Sequence, residues 1–290
     1  MKPRDIALAL LVCLVWASNQ VMSKIIVGQF GVPPIFYALA RTVIIVIVLF
    51  PMLRPVPAHV GRIMLVGTLL GGGGFALNFL GLQYATPSSA AIVLQLSVPM
   101  ATLLSILVLG ERIRWKRTLG ICLAFSGVIV LLWDPKGMDM SYGLLFTAGS
   151  ALSSALGAIL LKRIAPVPPL RIQVWGGLAS IPLLSVLSFT LEPQPIQASI
   201  HAGWPFVLAV TASALIVSIF SHTAYYGLVQ KYEANQIVSL MLVHSLMTIA
   251  LGVMITGDHF TLGMAIGSAM TLVGVFIVAV RSGRNAPRPT

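Results

Sequence analysis

GERIRWKRTLGICLAFSGV, residues 110–128, returns as GDHFTLGMAIGSAMTLVGV at residues 257–275. Gly110, Gly120, Gly127 and Val128 meet Gly257, Gly267, Gly274 and Val275, with Glu111 against Asp258, all at one offset of 147 residues. A Val-Pro-Pro triplet also recurs, at 32–34 and 167–169. The chain therefore reads as two related halves, divided at 1–137 and 138–290.

Composition says where such halves live. Of 290 residues, 58% are apolar and 9% charged, whereas a soluble domain carries roughly a quarter charged. Breaks at Pro, Gly or charge leave five apolar runs per half, near 5–27, 34–53, 61–83, 87–109 and 117–133, then 141–162, 170–191, 204–229, 234–256 and 261–281. Each suits a helix across a hydrocarbon core of about 30 Å, where the backbone must satisfy its own hydrogen bonds. No run alternates strictly as a barrel strand would. Five is odd, so the second copy enters the membrane from the opposite face. The expectation is an all-α membrane protein with ten transmembrane helices as two inverted five-helix repeats.

The formal charge of +11 does not point to nucleic acid, because the cations sit in short loops between apolar runs and not on one folded face. Fifteen of the 18 Lys and Arg fall on the side of the N-terminus, counting loops alternately, against Lys24 and Lys136 opposite and Arg41 inside the second run. The excess marks the cytoplasmic side. Both termini are thus expected in the cytoplasm, in the cell (inner or plasma) membrane. The opening run carries Lys2 and Arg4 like a signal peptide, but it continues through Asn19 to Lys24 and reads as the first span. Cys13 and Cys122 read as small core hydrophobes, without metal-ligand or redox spacing.

Inverted repeats of this kind place a substrate site near the midplane and expose it alternately to either side. Trp16-Ala17-Ser18-Asn19 in the first span, Arg41 in the second, and 85–99 running to Gly110-Glu111-Arg112 resemble the EamA-type members of the drug/metabolite transporter superfamily. Residues 234–258 repeat the pattern, with His244-Ser245-Leu246 where the first copy has Ser97-Val98-Pro99. The resemblance implies a 5+5 fold, export of amino acids or other small metabolites, and a cavity lined by spans 1, 3, 4, 6, 8 and 9.

Polar residues are costly in a bilayer, so their placement points to a pathway. Trp16 and Asn19 share a face of span 1 with Gln20, Ser23 and Lys24. Asn78 and Tyr84 fall in span 3, Gln95 in span 4, His222 and Tyr225 in span 8, and Gln236, Ser239 and His244 in span 9. These ten are the expected substrate-binding residues, with hydrogen bonding between helices as the alternative for each. Arg41 is either a structural cation or the counter-ion of a carboxylate; it lies on a span that the resemblance leaves outside the cavity, which favours structure. Gly71 to Gly74 allow a close crossing or a break, and no Gly-Lys-Ser or Gly-Lys-Thr follows to make a phosphate loop. Gly67-x-x-x-Gly71 and Gly263-x-x-x-Gly267 are close-packing motifs, either internal or at the contact of a homodimer.

All seven carboxylates fall in loops or at span ends, so transport is expected to be facilitative or linked to protons through His222 or His244. No cofactor, metal or ATP site is expected. The expected function is a secondary exporter of small metabolites, aromatic or neutral amino acids first, by alternating access. Another small solute (nucleoside, drug or vitamin class) is the alternative, ahead of a membrane-embedded enzyme or a non-transporting receptor or assembly protein.

Overall fold

The computed structural model describes residues 1–110, 115–132, 142–164, 167–232 and 234–282. Among them all regular structure is helical. In chain order the elements are α1 (Pro3–Lys24), α2 (Pro34–Val48), α3 (Val60–Leu70), α4 (Gly72–Tyr84), α5 (Pro87–Leu94), α6 (Ser97–Leu109) and α7 (Trp115–Leu132). The second half adds α8 (Tyr142–Leu161), α9 (Pro169–Leu191), α10 (Pro195–Ala202), α11 (Trp204–Ala212), α12 (His222–Lys231), α13 (Ala234–Leu251) and α14 (Leu262–Ser282). Seven helical stretches are long and apolar enough to cross a membrane, and Pro34–Val48 and Leu242–Thr256 are shorter apolar helices. Of the ten expected spans, seven meet that criterion of length and composition among the described residues. The surface is apolar, with Ile47, Leu107, Val186 and Met254 each more than half exposed, as lipid solvation allows. Cys122 is exposed on α7, not in the core where its sequence context suggested, while Cys13 is buried.

The repeat at 110–128 and 257–275 includes a helix pair. A Cβ on Gly127 would lie 2.6 Å from the Gly267 carbonyl oxygen, and one on Gly274 would lie 2.6 Å from that of Gly120. Glycines 147 residues apart therefore cross-pair, Gly120 with Gly274 and Gly127 with Gly267, so α7 and α14 pack antiparallel with their backbones touching. Gly110 and Gly257 end their helices at φ +68° and +70°, a left-handed cap that only glycine adopts without strain. Gly67 packs on Gly176 of α9 and Gly267 on Gly127, so both close-packing motifs are used inside the chain.

The third expected span of each half is irregular at the same register. Gly71 (φ −111°, ψ −108°) separates α3 from α4, and a Cβ on Gly72 would lie 2.4 Å from that of Ser180. The glycine run supplies both the break and the close crossing. Shifted by 147, residues 66–74 fall on 213–221, and Ser213–Ser221 is a π-helix between α11 and α12. The fourth spans differ for a visible reason. Pro99 has no N–H to give the Gln95 carbonyl, which takes the Val98 N–H at 3.2 Å instead, and α5 stops before α6. Leu246 occupies the matching position, and α13 runs unbroken.

Contacts sort the helix ends. At one end Lys231 pairs with Asp5 at 2.6 Å, and Arg163 of the α8 terminus donates to the Val108 carbonyl of α6. At the other, Lys24 donates to the Gln83 carbonyl at 3.4 Å. Glu192 there caps α2, accepting the Ile35 and Phe36 N–H groups at 2.6 and 2.9 Å. Burial outweighs these bonds and holds the Glu192 carboxyl above the ordinary glutamate range.

Candidate functional site

Trp16, halfway along α1, is the hub. Its ring centroid lies 5.3 Å from His222, 5.3 Å from Tyr225 and 6.0 Å from His244. Its indole N–H donates to Ser221 Oγ at 2.7 Å, which fixes the ring plane. The partners stand on and beside the Ser213–Ser221 π-helix, whose carbonyls also engage side chains. His222 Nδ1 lies 2.9 Å from the Val217 carbonyl oxygen, Gln173 Nε2 donates to that of Ser218 at 3.0 Å, and Ser218 Oγ to that of Ser213 at 2.7 Å.

Two cavities meet at Trp16, Phe75 and His222. The larger, about 350 Å³, is lined also by Arg41, Gly71, Ser97, Ser154, Gln173 and Tyr225. The smaller, about 170 Å³, is lined by Asn19, Gln20, Asn78, Leu94 and His244. Asn78 Nδ2 donates to Gln20 Oε1 at 2.7 Å. Asn19 Oδ1, Gln20 Nε2, Asn78 Oδ1 and His244 Nε2 are buried and make no hydrogen bond among the described residues. Such groups cost free energy unless water or a ligand meets them. The small cavity therefore offers acceptors and donors from three helices to a polar guest.

Of the expected residues, Trp16, Asn19, Asn78, His222, Tyr225 and His244 line these cavities. Gln95 caps α5 between Leu94 and Ser97, which line the smaller and larger cavity respectively, and its Nε2 is buried without a partner among the described residues. Tyr84 does not join them: it ends α4 with 56% of its surface exposed. The side chains of Gln236 and Ser239 lie outside the described residues. Arg41 and Thr42 of α2, with Ile172 and Gln173 of α9, extend the larger cavity to spans that the resemblance left out. Phe75 and Gln173 escaped the sequence reading, Phe75 because an apolar residue in an apolar run carries no signal. Gln173, a polar residue at the fourth position of its run, could have been found. Several other polar residues are accounted for inside their own helices, as where Thr42, Thr147, Ser180 and Thr271 donate to carbonyls four residues back.

Membrane-crossing helices closed around a polar cavity define a multi-pass membrane transporter. The chain belongs to the EamA-like transporter family, whose pattern matches twice, at residues 4–133 and 141–280. It is similar to a probable amino-acid metabolite efflux pump of Salmonella typhimurium, with 29% identity covering 96% of this chain and 95% of the relative. The probable amino-acid metabolite efflux pump of Escherichia coli K12 is 26% identical, with 96% and 95% covered. An Escherichia coli biotin transporter is 26% identical over 72% of each chain. A solved crystal structure matches 98% of this chain and 99% of its own at a TM-score of 0.60 and 21% identity, a likeness of fold. The family and these relatives make the protein a transporter, not an enzyme.

Proposed function

We propose that the protein exports small metabolites, aromatic or neutral amino acids first, by alternating access without ATP. The observation that carries this reading is the set of four unpartnered buried polar atoms in the small cavity, directly beside the rings around Trp16. Amides and an imidazole suit polar groups of a small metabolite, and the ring cluster suits an aromatic side chain. Trp16, Asn19, Asn78, His222, Tyr225 and His244 touch it, with Gln95, Gln236 and Ser239 alongside; Tyr84 is withdrawn on its exposure. The relatives named as amino-acid metabolite efflux pumps support the class.

The same reading takes the chain as ten crossings in two inverted halves, 1–137 and 138–290. The halves rock about the glycine-paired α7 and α14. The cation-rich end, with both termini, faces the cytoplasm of the inner membrane. With its close-packing glycines used internally, the monomer is the simplest working unit and a homodimer the alternative. Purified protein in liposomes, loaded with radiolabelled phenylalanine, tests this. Efflux down the amino-acid gradient, slowed in Trp16→Ala and Asn78→Ala, is expected; flux of no amino acid would overturn it.

A further inference from the structure

Arg41 is 2% exposed, and a guanidinium taken from water needs an anion or a full set of acceptors in exchange. Its Nη2 donates to Ser218 Oγ at 2.6 Å and its Nε reaches the Ser213 carbonyl at 3.4 Å. Its flat face rests 3.5 Å from the Phe75 ring centroid. These partners are neutral, and among the described residues no carboxylate lies within salt-bridge distance of it. A guanidinium has five N–H donors arranged as a fork, and two bonds do not use them up. The same group borders the larger cavity.

Two neighbours extend the argument. Gln173 binds the Ser218 that Arg41 also binds, and its Oε1, at the same cavity, is buried without a partner among the described residues. Ser97 and Ser154 line both this cavity and a further one of about 370 Å³ bordered by Arg117 and Lys162. Basic walls thus lead from the cation-rich end of the helices to Arg41.

We propose that Arg41 anchors the substrate carboxylate, with Gln173 Oε1 accepting from its ammonium group and the remainder lying on the rings of Trp16 and Tyr225. The basic vestibule delivers the substrate. This rests on the transport reading above and narrows it to carboxylates.

Protein in lipid nanodiscs is titrated with phenylalanine, phenylalaninamide, phenethylamine and 3-phenylpropionate, and the same protein is assayed for flux in liposomes. Wild type is expected to bind the carboxylate roughly ten- to hundredfold tighter than the amide. Arg41→Gln is expected to erase that preference by weakening the carboxylate alone, and Arg41→Lys to keep part of it. Gln173→Leu, the companion if Arg41→Gln fails to fold, is expected to weaken phenylalanine relative to 3-phenylpropionate. Equal binding of carboxylate and amide by wild type, no binding of any aliphatic or aromatic acid, or an unchanged preference in Arg41→Gln would each overturn the anchor. Flux without carboxylate preference sinks the anchor and spares the transport reading; carboxylate binding without flux does the reverse.

Discussion

Ser88 donates its backbone N–H to the Asp258 carboxylate at 3.0 Å, tying the start of α5 to the turn after α13 across 170 residues of sequence. The Ser88 hydroxyl donates to the same oxygen, and Thr256 Oγ1 donates to the other at 2.7 Å. Asp258 is thereby a helix cap borrowed from the opposite repeat, negative charge at a helix N-terminus. Asp258→Ala is expected to cost about 1–2 kcal/mol of stability, read as a lower Tm in detergent. A Cβ on Gly252 would lie 2.4 Å from Asp258 Oδ2, so Gly252→Ala should disturb the same cap. The double variant should lose less than the sum of the singles; strict additivity would refute the shared cap.

The crossing of α7 and α14 leaves no room for a methyl group. Gly127→Ala would place its Cβ 2.6 Å from the Gly267 carbonyl oxygen, an overpacking worth roughly 1–3 kcal/mol. Gly61→Ala, where nothing lies within 4 Å, is the control and should leave the Tm unchanged or slightly raised. Equal Tm values for the two variants would contradict the packing described.

Glu192 gives a pH dependence with a definite sign. Its carboxyl is held above the ordinary glutamate range, by burial first, so the folded state binds its proton more tightly than the unfolded chain does. That contribution to stability grows as pH falls through the raised folded value toward the ordinary one, and is lost as pH rises through it. Glu192→Gln should flatten this part of the stability profile in chemical-denaturation titrations. A variant profile parallel to wild type would show that Glu192 does not titrate there.

Ser221→Ala should free the Trp16 ring by removing the acceptor 2.7 Å from its indole N–H. The loss is about 1 kcal/mol in stability. For an aromatic substrate KM should rise severalfold, with a smaller effect on an aliphatic one. Tyr225→Ala should show the same selectivity, since its ring lies 5.3 Å from Trp16. Equal effects on both substrates would argue against ring contact with the substrate.

Much of the fold was readable because a bilayer imposes a simple rule, long apolar runs with charges at their ends. The glycines at 110, 120 and 127 were legible as a repeat, and Leu246 in place of Pro99 was legible as a departure. Neither reading could supply the consequence, because backbone-to-backbone contact and a broken helix depend on which helices meet. The site was legible only in part for the same reason. Asn19 and Asn78 stood out as amides in apolar surroundings, whereas Tyr84 carried the same polar signal and lies exposed at a helix end.

By itself the sequence determined that the chain is a duplicated helical membrane protein whose polar residues are concentrated on certain helix faces, since hydropathy and repeat spacing are local properties. Tertiary structure alone decided that Trp16 gathers His222, Tyr225 and His244, and that Arg41 of α2 borders the cavity. Those neighbours lie far apart in sequence, and only the packing of one half against the other, with π-helix carbonyls engaging His222 and Ser218, brings them together.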